Sequence, residues 1–226
     1  MIPIRDRVPT HSFPAVNYAL IAVNIIVFIF QWMAGANQEA VIYEFALIPA
    51  SVTAGLDVGD VRDIFTSMFM HGGLLHIAGN MLYLWIFGDN VEDNLGKVKY
   101  LIFYLVGGVV ASLAHIVSSP NSQIPTVGAS GAIAAVLGAY LVLYPSAKVE
   151  TFIPLGFFMR LAVLPASIVL GLWFVLQLFN GVMSIGAADV GGVAFWAHIG
   201  GFVAGVVMAF LFGNRRRARP EVAAWN

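Results

Sequence analysis

Between Lys99 and Lys148 the chain reads YLIFYLVGGVVASLAHIVSSPNSQIPTVGASGAIAAVLGAYLVLYPSA (residues 100–147), with no Asp, Glu, Lys or Arg anywhere in it. That is more than one lipid crossing requires, since about 20 residues span a hydrocarbon core of roughly 30 Å. The turn signal Ser118-Ser119-Pro120-Asn121-Ser122 divides the run, which places helices at 98–118 and 126–144. Charge-free stretches at 15–32, 64–87, 161–185 and 190–213 flank it, and they place further helices at 15–34, 64–88, 161–185 and 190–213. Whole-chain composition agrees: 60% hydrophobic, 10% charged, mean hydropathy +0.87. Such values belong to membrane proteins. The expected fold is all-α, a polytopic bundle of six transmembrane helices.

Organisation follows from where the charges fall. Residues 15–213 read as one membrane domain, with a tail at 1–14 and a basic tail at 214–226. The longest connection, 35–63, mixes Val41, Ile42, Phe45, Leu47 and Ile48 with Glu39 and Glu44, the pattern of a segment lying at the interface. With six spans, Arg5, Arg7, Lys97, Lys99, Lys148, Arg160, Arg215, Arg216, Arg217 and Arg219 share one side and Arg62 is alone on the other. The positive-inside rule makes the crowded side cytoplasmic, with both termini there. Ala34-Gly35-Ala36 resembles a signal cleavage site. The apolar run before it is long for a signal peptide, and its removal would spoil the charge partition, so it reads as a retained span.

Several classes drop out. A net charge of −1 suggests no nucleic-acid partner, and the absence of Cys removes disulfides and thiolate metal sites. There is no HExxH string and no Walker loop.

The polar residues inside the spans carry the chemistry. The second, fourth and sixth spans run from outside to inside and hold theirs in their first halves: His76 and Asn80, then Ser130, then His198. At about 1.5 Å of rise per residue these groups reach similar depths below the outer surface. Polar groups at membrane depth are costly and usually functional. Ser130 alone reads equally well as a helix-contact residue in a Gly/Ala run. Its flanks, Gly128 and Gly131, permit close backbone approach and leave N–H groups free near a helix start. Ala132 stands where a GxSxG elbow needs glycine, so an α/β-hydrolase is not implied. His198 opens a small-residue face, Gly201-xxx-Gly205-xxx-Ala209, and Gly131-xxx-Ala135-xxx-Ala139 is its counterpart. Packing those faces together brings His198 within reach of Ser130, where an imidazole can take the serine proton.

His76 and Asn80, four residues apart, share a helix face. They read either as a polar contact between helices or as donors to the oxyanion formed when serine attacks a carbonyl. His71 reads as a structural cap or loop anchor, His115 as a core or interfacial histidine, and His11 as a tail residue. No Asp or Glu lies within a span: Asp189 is outside the sixth and Asp89 is at the inner end of the second. A Ser-His dyad is expected, not a triad.

Three strings together, His71-Gly72-Gly73-Leu74-Leu75-His76-Ile77-Ala78-Gly79-Asn80, Gly128-Ala129-Ser130-Gly131 and Ala197-His198-Ile199-Gly200-Gly201 with Gly205, resemble the bacterial rhomboid intramembrane serine proteases. The resemblance covers nearly the whole chain. It implies a six-helix rhomboid-like bundle with Ser130 as nucleophile and His198 as general base and then acid. It also implies an oxyanion hole from the Ser130 N–H, Asn80 and His76, with His71, Gly128, Gly131, Gly201 and Gly205 as structural and packing residues. Implied partners are transmembrane protein substrates in the lipid bilayer, cut in or near their spans. Metal, nucleotide and other cofactors are not implied. Substrate entry would involve the fifth span and an overlying loop, 184–193. The implied location is the bacterial plasma membrane, with the site opening to the outside.

Two positions depart from the family pattern. Arg62-Asp63 replaces a Trp-Arg pair in the first outer loop. Ala134 stands where many members pack an aromatic on the catalytic histidine, leaving that task to Trp196 or to a neighbouring helix. The rival readings are an inactive rhomboid-like protein that binds membrane clients, a haem-binding electron carrier and a transporter. Retention of both Ser130 and His198 speaks against the first. The five-residue spacing of His71 and His76 speaks against the second, and the lack of a charged residue within a span against the third.

Overall fold

The computed structural model describes residues 1–156, 158–184 and 193–214. Most of the overlying loop expected at 184–193, and the basic tail from Arg215 onward, lie outside the described residues.

Helix α1 (Ala15–Met33) turns Asn17, Leu20, Asn24, Phe28 and Gln31 inward and leaves Ile25, Ile26, Ile29 and Phe30 on its outer face. Lipid explains the inversion: apolar side chains need no cover there, whereas amides must find partners inside the protein. The Asn17 amide donates to the Leu84 carbonyl at 3.0 Å and accepts from the Tyr100 hydroxyl at 2.8 Å. Gln31 brackets the His71 backbone, accepting its N–H at 3.0 Å and donating to its carbonyl at 3.3 Å. At the other end, the Glu92 carboxylate accepts the first-turn N–H groups of Val16 and Asn17, at 3.1 and 2.6 Å. A helix start has no partners of its own for those groups, so an acidic side chain there is stabilising.

The connection at 35–63 is folded. It holds α2 (Gln38–Phe45), α3 (Pro49–Ala54) and most of α4 (Val58–Thr66), the last begun by a reciprocal Asp57–Asp60 capping box. Arg62 ties the layer together. Its guanidinium donates to the Glu44 carbonyl at 2.6 Å and to the Asp63 carboxylate at 2.8 Å, and it lies 5.0 Å over the Phe45 ring. The departure at Arg62-Asp63 therefore still produces an anchored loop.

Then follow α5 (Leu74–Leu95), α6 (Lys97–Ser118), α7 (Ser130–Leu143), α8 (Ala166–Met183) and α9 (Phe195–Phe212). By length and composition α1, α6, α8 and α9 can each cross a membrane, and the chain is a mostly helical integral membrane protein. α5 is as long as α6 but carries Asp89, Glu92 and Asp93 towards its end. There they bind the N-terminal segment: Thr10 and Ser12 donate to Asp89 and Asp93, at 2.7 and 2.5 Å. α7 is the centre of the molecule, with every residue buried except Ser130, Leu141 and Val142. It packs most extensively on α9.

The all-α expectation needs correction. A three-stranded antiparallel sheet joins β1 (Ile2–Asp6), β2 (Lys148–Leu155) and β3 (Phe158–Pro165), in that order. The segment 161–165, expected to open the fifth helix, is strand, and the helix begins at Ala166 after Pro165. Proline lacks the N–H that a helix interior uses and is tolerated only at a helix start. Gly156, at φ +63°, turns β2 back into β3, a conformation glycine adopts without steric cost. On this sheet Arg5 and Arg7 both bind Glu150, at 2.7 and 2.9 Å, and hold its carboxyl below the usual carboxylate range.

Candidate active site

Ser130 is the first residue of α7, so its backbone N–H belongs to a first turn that has no intrahelical acceptor. The chain before it is pinned at three points. Leu47 and Thr126 exchange backbone hydrogen bonds at 3.1 and 2.8 Å, and the Gly128 N–H donates to the Ser67 carbonyl at 2.8 Å. Gly128 itself has φ +132°, and a β-carbon on it would lie 2.8 Å from the His76 ring. Only glycine gives that turn while letting the imidazole rest against the backbone before Ser130.

His198 lies in the first turn of α9, its N–H donating to the Ala194 carbonyl at 3.2 Å. What brings α9 to α7 is the absence of side chains. A methyl on Gly201 would overlap the Gly131 carbonyl oxygen, and one on Gly205 would overlap that of Ala135. From the other side, a methyl on Gly138 would overlap the Phe202 carbonyl. The two small faces expected to meet do meet, backbone to backbone. As a result the Ser130 hydroxyl lies 2.8 Å from His198 Nε2.

His76 and Asn80 project from the first half of α5 into the same cavity, of about 1120 Å³, which Ser130 and His198 also line. His76 Nδ1 accepts the Gly72 N–H at 3.4 Å, which leaves its proton on Nε2, on the edge of the ring that faces Gly128. Asn80 is 8% exposed and its amide nitrogen has no hydrogen-bond partner among the described residues. Buried amides are normally satisfied, so a donor left open in the cavity that Ser130 lines marks a place where an oxygen can be received. His71 is fully buried behind His76, with ring centroids 5.2 Å apart, and His115 lines the same cavity.

Two side chains at this site were not singled out from sequence, and both come from α8. His198 Nδ1 lies 2.9 Å from Gln177 Oε1, and the Trp173 ring lies 5.9 Å from the imidazole, tilted by 37°. The aromatic against His198 thus comes from a neighbouring helix, whereas Trp196 packs beside Gly181. The available signal was an amide within a charge-free span, which also carries Asn180 one turn further on.

A family profile described as "Rhomboid domain" matches residues 58–215. Rhomboid protease GluP of Bacillus subtilis (strain 168) is 34% identical over 129 residues, covering 57% of this chain and 24% of GluP. The mitochondrial presenilin-associated rhomboid-like protein of Homo sapiens is 31% identical over 220 residues, covering 92% of this chain and 51% of its own length. Its Danio rerio counterpart, protein A, is 29% identical over the same span of 220 residues, with the same coverage. The chain therefore spans about half the length of the mitochondrial relatives and about a quarter of GluP. The profile match covers well over half of the chain, including the strings around His76, Ser130 and His198, and on that ground the chain belongs to the rhomboid family.

Proposed function

We propose that this protein is an intramembrane serine endopeptidase that cleaves transmembrane proteins in or near their spans through a Ser130–His198 dyad. The observation that carries the reading is the 2.8 Å contact between the Ser130 hydroxyl and His198 Nε2, in a cavity that also holds an unpartnered Asn80 amide. A relative named as a rhomboid protease supports it.

In the proposed reaction His198 Nε2 takes the Ser130 proton as Oγ bonds to the scissile carbonyl carbon. The charge that develops on the carbonyl oxygen is met by the Ser130 N–H, the Asn80 amide and His76 Nε2–H. His198 then gives its proton to the departing amine, leaving the acyl group on Ser130. A water molecule, deprotonated by the same nitrogen, attacks the ester and releases the new carboxylate. The proton returns to Oγ.

The topology that suits this chemistry has six spans: α1, α5, α6, α7, α8 and α9, forming one domain over 15–213. α7, at 14 residues, rises only about 21 Å against a core of roughly 30 Å. The non-helical backbone before Ser130 thus sits below the surface, which is tolerated where it lines a water-filled cavity. With the basic end cytoplasmic, that cavity opens to the outer side of a bacterial plasma membrane.

The test is labelling with a fluorophosphonate probe in purified protein, followed by cleavage of a reporter span in vesicles. Labelling and cleavage should both vanish in Ser130→Ala. A wild-type protein that neither labels nor cuts is the client-binding alternative, and one that labels equally well after the substitution has a different nucleophile.

A further inference from the structure

The imidazole of His198 has two nitrogens with opposite duties. Nε2 has to present a lone pair to the Ser130 hydroxyl, so the ring's single proton has to sit on Nδ1. Nδ1 faces Gln177 Oε1 at 2.9 Å, and an amide oxygen can only accept. With the amide in this orientation, the Nδ1-protonated form is the one that makes both bonds. The other tautomer would lose its bond to Gln177 and would turn an N–H, not a lone pair, toward Ser130.

The setting argues that this contact is built and not incidental. Trp173, Gln177 and Gly181 are spaced by four along α8, one stripe facing α9. Trp173 lies against both His198 and Phe202. At Gly181 a β-carbon would already be 3.0 Å from Ile199, so the helices are in close contact one turn beyond the amide. Between them Gln177 is the polar member of the stripe, half-buried, at a position where an unpaired amide would be expensive. Outside that stripe only Ala166, Val169 and Leu170 of α8 are buried.

We propose that Gln177 is a positioning residue that fixes the His198 ring in its Nδ1-protonated form, with Trp173 holding the ring plane, so that α8 supplies the third group of the Ser130–His198 chain. This rests on the dyad reading given above. Its corollary is that base competence depends on the seating of α8: when the helix moves away from α9, the acceptor leaves with it.

The experiment compares wild type with Gln177→Leu and Gln177→Glu in detergent-purified full-length protein. Labelling rate with a fluorophosphonate, steady-state cleavage and melting temperature are measured together. Leucine keeps the bulk and removes the acceptor; glutamate keeps an acceptor oxygen and removes the donor. Gln177→Leu should label about 10–100-fold more slowly and lose kcat with little change in KM, at a melting temperature close to wild type. Gln177→Glu should stay within about threefold of wild type. Nitrogen-15 resonances of a His198-labelled sample should show Nδ1 protonated in wild type and a tautomer mixture in Gln177→Leu. The inference is overturned if Gln177→Leu labels at the wild-type rate, or if Gln177→Glu is as slow as Gln177→Leu. The nitrogen-15 measurement separates this from failure of the dyad reading: a wild-type protein that never labels at Ser130 defeats the dyad, while its imidazole tautomer still reports whether Gln177 holds the ring.

Discussion

A hydroxyl does not become a nucleophile by being buried. At Ser130 the deciding quantity is the 2.8 Å separation from His198 Nε2, and His198→Ala should abolish cleavage while the protein keeps its melting transition. Asn80 is a different case, because its amide nitrogen has no partner among the described residues. Asn80→Ala should therefore leave stability within about 1 kcal/mol of wild type. It should lower kcat by about tenfold or more, short of the 10²–10³ lost with the strongest oxyanion donors, since two others remain. Cleavage kinetics beside a thermal melt would check both. These residues were legible because each interrupts an apolar span with a polar group. Gln177 interrupts one too, yet a search for a third partner that looks only at Asp and Glu passes over an amide. In water an amide is a weak substitute for a carboxylate; in a lipid-embedded site it orients an imidazole without burying a charge.

At the level of elements, the join between α7 and α9 is backbone against backbone. Gly205→Val would drive its side chain into the Ala135 carbonyl, where even a methyl overlaps. The expected outcome is a loss of stability of about 1–3 kcal/mol, together with loss of fluorophosphonate labelling as the two helices separate. Gly171→Ala on α8, where a β-carbon meets nothing within 4 Å, is the control and should change neither. The small-residue repeats foretold this join because period-four glycines have few other uses in a membrane. The strands were hidden for the opposite reason. Residues 161–165 are as apolar as a span, so hydropathy merges them with α8, and only Pro165 marks the boundary. The extension of α5 to Leu95 was likewise masked: its last turns are charged, and they stay helical because the N-terminal segment supplies their partners.

For the molecule as a whole, charge placement already grouped Arg5, Arg7, Lys148 and Arg160, and the sheet gathers all four at one end. Electrostatics there also sets a pH response. Burial, aided by the nearby Asp89 carboxylate, pushes the Asp6 carboxyl up to about 7 although the Tyr140 hydroxyl donates to it. An unfolded Asp releases its proton near pH 3.9. Between about pH 4 and pH 7 the folded chain thus keeps a proton at Asp6 that the unfolded chain has lost, so the contribution of Asp6 to stability falls as pH rises through that window and levels off above it. Glu150 acts in the opposite sense, but only below about pH 4. Compared with wild type, Asp6→Asn should raise the melting temperature at pH 8 relative to that at pH 5; an unchanged difference between the two pH values would remove Asp6 from the response.

The order of the sheet has one more consequence. β1 lies on one side of β2, supplying Met1–Arg7 as a cover for a row of main-chain amides and carbonyls. Clip those seven residues and that row stands open, a docking strip ready to accept the same strip from a neighbour. Light scattering after chromatography should then find particles heavier than those of the intact chain; unchanged mass would mean that detergent or lipid shields the strip equally well.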